Sequence, residues 1–420
     1  MRTSAQWIAC LTLFTLPLFG QSKRLWILRS SGEMVEYDPA TFGRKGTVKI
    51  PPDAVKSLAA ISVNRIGQTL FAPVISLPLS DEDAKSAHNI WFWDGHTAST
   101  LNQGVEHKVE TRGSNQEVTE SAPTVTLSAD GAHLFWFANE SRRLQREGVD
   151  LSITTTWQAW QTDTNGQNRQ DLASVNMPDC RCQTGSCEES CPTTLVWASV
   201  AGLQKFFLMT QFVTGQTQTE YKSTTLYQQS SGKWTPSPLP QPLQRVLDAS
   251  PDGATIAEAV PDTGCCGWSN QSDDQTLIND NGKSRKIFDE LESYKNPDYD
   301  VSFFTSNATF SPDLKLIAMT ITATTDANHP IQLAEDGQAN PEESQRIHKA
   351  LSQLPAVELK TLDDTPKRLA FLPHASLIGW ISEKELLIIE DHLLVTYSLA
   401  TGTRRKSTIK VDDPARVFLR

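Results

Sequence analysis

The chain has 420 residues, a formal net charge of −11 at pH 7 and only 21% charged side chains. The acidic balance argues against a nucleic-acid partner, which would require a basic surface. Abundant Ser, Thr, Gln, Gly and Pro, with few long stretches of 3.6-residue hydrophobic period, disfavour helical bundles and α/β folds.

The N-terminus has the pattern of an export signal. Arg2 supplies a positive charge, and an uncharged, mostly apolar run follows from position 7 to 20. This run is shorter than the roughly 20 apolar residues that a transmembrane helix needs. We therefore predict a signal peptide over residues 1–22, with a retained anchor as the alternative. The remainder is expected to be secreted or periplasmic, without a transmembrane segment.

Six of the seven cysteines follow the predicted leader, and an even, clustered set in an exported protein indicates disulfides. They form a group of four and an adjacent pair: Cys180, Cys182, Cys187, Cys191, Cys265 and Cys266. Zinc or an iron–sulfur centre is the alternative for the group of four, although its spacing lacks the C-x2-C pairs of structural zinc sites. For the adjacent pair, cross-bonding to the group of four is favoured. A strained vicinal ring or redox chemistry is the alternative there.

Two kinds of short β phrase alternate along the chain. The first is a polar turn followed by an apolar strand, and its Ser, Pro, Asp and Gly suit the turn. Its copies begin near Ile61, Leu127, Trp197, Ala249, Phe310 and, more loosely, Leu377. The second phrase is a hairpin, and its copies begin at Leu25, Asn89, Thr156, Thr225, Thr276, Val357 and Leu393. Such repetition predicts small sheets stacked around an axis, with a β-sandwich as the alternative.

Three copies of the turn carry a recognisable signature. The segments Ser128–Gly131, Ser250–Gly253 and Ser311–Asp313 resemble the repeated phrase of TolB-like, WD-repeat-like propellers. That resemblance implies that the phrase opens the inner part of each blade and that the following strand leads away from the central channel. It covers most of the mature chain and concerns the fold, not the function. The copies near positions 63 and 199 depart from it, because they lack the Asp.

We therefore predict an all-β protein, with a single β-propeller over residues 23–420. Seven hairpins against six turn-strand phrases favour seven four-stranded blades, with six as the alternative. We expect the N-terminal hairpin to share a blade with the C-terminal strand Ala415–Arg420. This closure would tie the chain ends together and remove two exposed sheet edges.

Three insertions interrupt the blades. Residues 102–121 are predicted to form a long exposed loop, and residues 176–192 a loop stapled by cysteines. Residues 323–355 are predicted to contain one short amphipathic helix that starts near Glu342. Loops at the ends of blades line the binding face of propellers, so the insertions are functional candidates, with decoration as the alternative.

The chain lacks the short signatures of common enzymes. It has no G-x-S-x-G elbow, no H-E-x-x-H pair and no Gly-rich phosphate loop, so we predict no catalytic residue, metal or cofactor site. Asp130, Asp252 and Asp313 of the turns are candidate ligands at the channel mouth for a cation or a basic peptide. The favoured interpretation, however, is that each caps its own turn.

These observations predict a non-enzymatic, exported, monomeric propeller that binds or scaffolds a protein or peptide partner. The alternative is an exported propeller enzyme that uses the central channel, either a lactonase-like hydrolase or a quinone-dependent dehydrogenase. Converging carboxylates, histidines or a metal inside the channel would favour the enzyme, whereas a channel without them beside a large apolar patch would favour the binding protein. A carbohydrate-binding module is a third possibility and would require a row of exposed tryptophans.

Overall fold

The computed structural model describes the greater part of the chain after the predicted leader. The described residues are 23–49, 58–63, 67–76, 86–94, 96–111, 116–120, 124–128, 131–146, 149–176, 180–181, 193–199, 205–214, 219–230, 233–239, 243, 245–250, 253–260, 274–280, 282–295, 301–325 and 341–420. The predicted signal peptide lies outside these ranges.

Nearly all of the described backbone is antiparallel β-sheet, and five of the sheets have four strands. One of them combines Leu25–Leu28 (β1), Glu33–Tyr37 (β2), Arg44–Lys49 (β3) and Val417–Leu419 (β30). Another contains Thr193–Ser199 (β14), Lys205–Thr214 (β15), Thr219–Ser230 (β16) and Lys233–Pro238 (β17). A third contains Arg245–Ala249 (β18), Thr255–Val260 (β19), Gln275–Asp280 (β20) and Lys283–Asp289 (β21).

The last two four-stranded sheets follow directly along the chain. One contains Val301–Phe310 (β22), Leu316–Thr325 (β23), Ala356–Thr361 (β24) and Arg368–Pro373 (β25). The other contains Ala375–Ser382 (β26), Glu385–Glu390 (β27), Leu393–Ser398 (β28) and Arg404–Lys410 (β29). In each of these sheets the strands lie in chain order, as in a blade.

The remaining strands form one ten-stranded sheet. Its strands are Leu58–Val63 (β4), Thr69–Ser76 (β5), Ser86–Trp93 (β6), Ala98–Thr111 (β7), Gln116–Glu120 (β8), Thr124–Leu127 (β9), His133–Arg146 (β10), Val149–Asp163 (β11), Gln170–Asn176 (β12) and Cys180–Arg181 (β13). Strand β8 pairs with β7 on one side and with β10 on the other, and this pairing joins the two halves of the sheet.

Two predictions are wrong in this region. The described chain has five four-stranded blades, not seven or six, because the long strands β7 and β10 are fused through β8 into one sheet. Residues 102–121 were expected to be an exposed loop, yet their described part is the strands β7 and β8. A polar strand that pairs on both sides has no hydrophobic alternation, so it is indistinguishable from a loop in the sequence.

The predicted closure is confirmed. Strand β30 pairs antiparallel with β1, with Trp26 opposite Phe418. Beyond the strands, the backbone N–H of Arg24 donates to the carbonyl of Arg420 at 2.7 Å, and the reverse bond is 3.0 Å. The C-terminal strand is thus the innermost strand of a sheet whose other three strands come from the N-terminus.

The sheets stack face to face around an axis, which gives the β-propeller. The innermost strands β18, β22, β26 and β30 contact one another in that order. One apolar cluster lies between the β18–β21 and β22–β25 sheets and includes Ile278 and Phe303. A second lies between β22–β25 and β26–β29 and includes Leu359 and Ile388. Each sheet thus buries its two faces against its neighbours.

The serine of the turn phrase makes the same hydrogen bond in each copy that carries the signature. The hydroxyl oxygen of Ser128, Ser250 and Ser311 accepts, at 2.9 Å in each case, from the backbone N–H five residues later. The first two copies place a glycine at positive φ three residues after the serine, whereas the third has Leu314 at φ 55°. The phrase therefore forms the tight connection from an innermost strand to the second strand, as the resemblance implies.

The described residues contain two short α-helices where one was predicted. The expected helix is Pro341–Leu351 (α2), and its Ile347 is buried against the β22–β25 sheet. The additional helix is Glu290–Tyr294 (α1), which begins after Asp289 because that carboxylate accepts from the Glu292 N–H at 2.8 Å. Neither helix has the length and apolar character needed to cross a membrane.

Candidate functional site

Most of the predicted cysteine chemistry lies outside the described residues. Only Cys180 falls within them, and its backbone pairs with Ile153 in the short strand β13. The positions of Cys182, Cys187, Cys191, Cys265 and Cys266 are not described, so the disulfides stay a prediction. The same holds for the dehydrogenase alternative, which depends on the adjacent pair.

Of the three turn carboxylates, Asp313 is described, and Asp130 and Asp252 are not. Asp313 accepts from the Ser311 hydroxyl at 2.7 Å and from the Lys315 N–H at 3.3 Å. The Ser311 hydrogen bond is the main cause that lowers the pKa of this carboxyl. These contacts hold the turn itself, and the binding of a ligand at the channel mouth by these residues stays a prediction.

The described tryptophans serve packing. Trp26, Trp93, Trp136, Trp160 and Trp380 are all buried. Trp136 stacks on Trp160 with ring centroids 6.1 Å apart, and Trp380 donates from Nε1 to the Thr309 carbonyl at 3.0 Å. These five side chains therefore form no exposed row of the kind that a carbohydrate would require.

A carboxylate lies at the innermost part of the propeller, on strand β18. A bulge between Val246 and Asp248 shifts the pairing of β18 with β19, and bulges of this kind redirect side chains. Asp248 Oδ1 accepts from the Ala249 N–H at 2.9 Å, and Oδ2 accepts from the Phe310 N–H of the next innermost strand at 2.8 Å. The Thr309 hydroxyl also bonds this carboxylate. Asp248 is therefore held in one orientation from two strands.

Burial raises the pKa of Asp248, and it outweighs the opposing effect of these hydrogen bonds and of the positive charge of Lys23. The carboxylate remains partly accessible to water. A carboxyl group with a raised pKa in a partly open, polar position has the properties of a proton-transfer group.

A second charged side chain, Arg420, lies at the end of the innermost strand β30. Arg420 follows β30, and its Nε donates to the Val63 carbonyl of β4 at 3.3 Å. Its side chain is accessible to water, yet protein surrounds it closely enough that burial lowers the pKa of the guanidinium. A residue that lines a channel has both properties. The charge of Asp248 acts on Arg420 in the opposite direction, raising its pKa.

Asp248 and Arg420 belong to different sheets of the propeller. Strands β22 and β26 lie between β18, which carries Asp248, and β30, which precedes Arg420. The two residues therefore approach from different sides of the ring. Such an arrangement can hold a substrate with both a positive and a negative group, or polarise a carbonyl beside a proton acceptor.

Neither Asp248 nor Arg420 was among the predicted site residues. A signal for Asp248 was present, since it is a carboxylate two positions before the S-P-D-G turn in an otherwise apolar strand. Arg420 had no comparable signal, because only the pairing of β30 brings it to the axis. Within the described ranges, no three His, Cys, Asp or Glu side chains converge as metal ligands would.

Comparison with known proteins gives matches in structure alone. No protein-family model matches the chain, and no curated protein matches its sequence. The β-propeller domain of the Trilobed protease from Pyrococcus furiosus is 12% identical over 91% of both chains, with a TM-score of 0.42. Porphyromonas gingivalis dipeptidyl peptidase 4 is 9% identical over 94% of this chain and 59% of its own, with a TM-score of 0.47.

A third similar structure is Pyrococcus horikoshii acylaminoacyl peptidase, 13% identical over 90% of this chain and 48% of its own, with a TM-score of 0.39. Likeness at this level shows the fold, and the propeller is confirmed. The prediction of a non-enzymatic binding or scaffold protein is contradicted by these matches, which are peptidases or the propeller domain of a protease, and they agree better with the enzyme alternative. The narrower resemblance to TolB-like propellers stays a prediction.

Proposed function

We propose that this chain is the propeller of an exported hydrolase that binds a peptide-like substrate in its central channel. The observation that carries the proposal is the Asp248 carboxylate, which the Ala249 and Phe310 N–H groups hold in one orientation while its charge acts on Arg420. A peptide offers a positive amine and negative carboxylate, or a neutral amide with a polarisable carbonyl. Either form is complementary to a carboxylate facing a guanidinium.

The two residues have distinct roles in the proposed reaction. Asp248 accepts a proton from a water molecule while the water oxygen attacks the carbonyl carbon of the substrate. Arg420 stabilises the negative charge that develops on the carbonyl oxygen. Asp248 then returns the proton to the leaving group as the carbon–nitrogen or carbon–oxygen bond breaks. The raised pKa of Asp248 makes its carboxylate a stronger base than an exposed aspartate.

The proposal also includes the predictions of export, of disulfide bonds and of a TolB-like propeller. The leader over residues 1–22 and the six remaining cysteines support an exported, disulfide-bonded protein of the periplasm or the secretome. The S-x-D-G phrases support a relationship to TolB-like propellers. A peptide in the channel fits the expected peptide partner, which then becomes a substrate.

The test is turnover of chromogenic substrates by the purified full-length protein. Aminoacyl and dipeptidyl p-nitroanilides and p-nitrophenyl esters sample the amide and ester classes. Wild type is expected to hydrolyse at least one class, and Asp248→Asn to lose about 100-fold or more of kcat/KM, the range of a general base. Arg420→Gln should reduce kcat/KM as well.

Asp313→Asn is the matched control, because it changes a carboxylate that holds a turn. It should keep wild-type turnover. Urea unfolding shows that each variant is folded before its rate is compared. The absence of turnover with every substrate overturns the proposal, as does an Asp248→Asn variant that is folded and fully active.

A further inference from the structure

A second possible binding site lies away from Asp248 and Arg420. It is a cleft of about 520 Å³ between the innermost parts of the β22–β25 and β26–β29 sheets, beside the end of α2. We call it the helix cleft. Its lining includes Asn307, Thr322, Ala323, Leu351, Leu354 and Ser376. The volume falls within the range of about 300–1,000 Å³ that is usual for small-ligand sites.

Three polar side chains of this cleft have unused hydrogen-bonding capacity. Asn307 donates from Nδ2 to the Leu377 carbonyl at 3.2 Å, which leaves its amide oxygen available. The hydroxyl of Ser376 makes no hydrogen bond within the described residues. The Thr322 hydroxyl is buried with no partner in the described chain, and Thr322 belongs to the lining of the cleft. Together they offer one acceptor and two groups that donate or accept.

The remaining lining of the helix cleft indicates that its ligand is uncharged. The end of α2 and the segment after it contribute leucine side chains and Pro355, and the described residues that line the cleft include no Asp, Glu, Lys, Arg or His. A charged group placed there would lose water without gaining a counter-charge, which is costly. A neutral group with an amide and an aliphatic side chain satisfies both walls.

We propose that the helix cleft binds an uncharged, leucine-like residue of a peptide through its amide and its aliphatic side chain. The cleft and the channel share strand β22, because Phe310 bonds Asp248 and lies three positions after Asn307. At about 3.3 Å per residue these points are roughly 10 Å apart. An extended peptide of about four residues therefore reaches both. This link rests on the proposed function, whereas binding in the cleft does not.

The probe is N-acetyl-leucine amide, titrated into the full-length protein and followed by NMR chemical shifts. We expect saturable binding with a Kd of about 1 mM, reasonable for so small a ligand. Ala323→Phe fills the cleft and should weaken binding at least 10-fold. Thr324→Phe is the matched control, because Thr324 is exposed at the end of the same strand and does not line the cleft.

Thr322→Val tests the polar side of the cleft without changing its shape. It removes a hydroxyl that has no partner, so the fold should be unaffected while probe binding weakens about threefold or more. Asp248→Asn should leave probe binding unchanged, so this experiment stands even if the hydrolase proposal fails. The proposal is overturned if wild type shows no saturable shift, if Ala323→Phe binds as wild type does, or if glucose binds in place of the probe.

Discussion

The backbone N–H of Phe310 donates a 2.8 Å hydrogen bond to Oδ2 of Asp248, so a carboxylate of one innermost strand is bonded to the backbone of the next. The charge of the same carboxylate also acts on Arg420 and raises the pKa of its guanidinium. One side chain thus fastens two blades and places a titratable group at the axis. The geometry of the candidate site is therefore coupled to the packing of the blades.

The titration of Asp248 should appear in the pH dependence of stability. Its pKa is raised above 3.8, so the native state binds this proton more tightly than the unfolded chain does. The unfolding free energy should therefore fall as the pH rises from about 4 through the native pKa. Urea unfolding at several pH values should show this slope in wild type and not in Asp248→Asn.

Asp313 is a control, because its contribution to the unfolding free energy should change with pH in the opposite direction. Hydrogen bonds, chiefly from Ser311, lower the pKa of this carboxyl. The stabilisation that this carboxylate gives the native state should therefore be complete above its ordinary pKa. It should be lost as the pH falls through the native pKa. An Asp313→Asn variant that changes the slope in the same direction as Asp248→Asn would contradict both assignments.

Gly67 should be intolerant of any side chain. It has φ +84°, and a Cβ there would lie 2.5 Å from Cζ2 of the buried Trp26. Gly402 has a similar φ of +68° with open space around it, so Gly402→Ala should cost only the backbone strain of about 1–2 kcal/mol. Gly67→Ala should cost about 1–3 kcal/mol more because the indole must move. If urea unfolding shows equal losses of unfolding free energy for Gly67→Ala and Gly402→Ala, the contact with the Trp26 indole is relieved without cost.

Glu358 should be the most sensitive ion-pair position of the β22–β25 sheet. Its carboxylate is buried, bonded to Arg368 and 3.5 Å from the largely buried Lys360 Nζ. Glu358→Ala should cost about 3–5 kcal/mol of unfolding free energy, because it removes the counter-charge of the buried Lys360, which keeps only its bond to the Ile287 carbonyl. Asp171→Ala breaks an exposed pair with Arg169 and should cost about 1 kcal/mol or less. If both variants lose a similar, small amount of unfolding free energy, burial does not strengthen the Glu358 ion pairs as we expect.

The outermost strand β29 should resist edge-to-edge association through its cations. It lies at the end of its sheet, and Lys406 and Lys410 are exposed on it. Charged residues on edge strands oppose pairing with another molecule. A Lys406→Val, Lys410→Val variant should therefore associate at concentrations where wild type is monomeric, as light scattering after gel filtration would show. Lys315→Val with Lys384→Val removes the same charge at turns and should not have this effect.

Local sequence pattern was sufficient to predict the turn residues but not the two charged residues of the candidate site. Ser250 and Ser311 could be placed from the sequence, because each forms a turn with residues at most five positions away. Asp248 and Arg420 are distant in sequence and meet only because successive blades close a ring. No local pattern encodes that approach.

The sequence by itself determined the β-rich class, the turn phrases and the closure of the chain ends, because these depend on hydrogen bonds and hydrophobic alternation over a few residues. Only the tertiary structure decided the blade count and the content of the channel. Strand β8 pairs with both β7 and β10, and this fuses two halves into one sheet. The innermost strands converge on an axis, so a carboxylate and a guanidinium from remote parts of the chain share one channel.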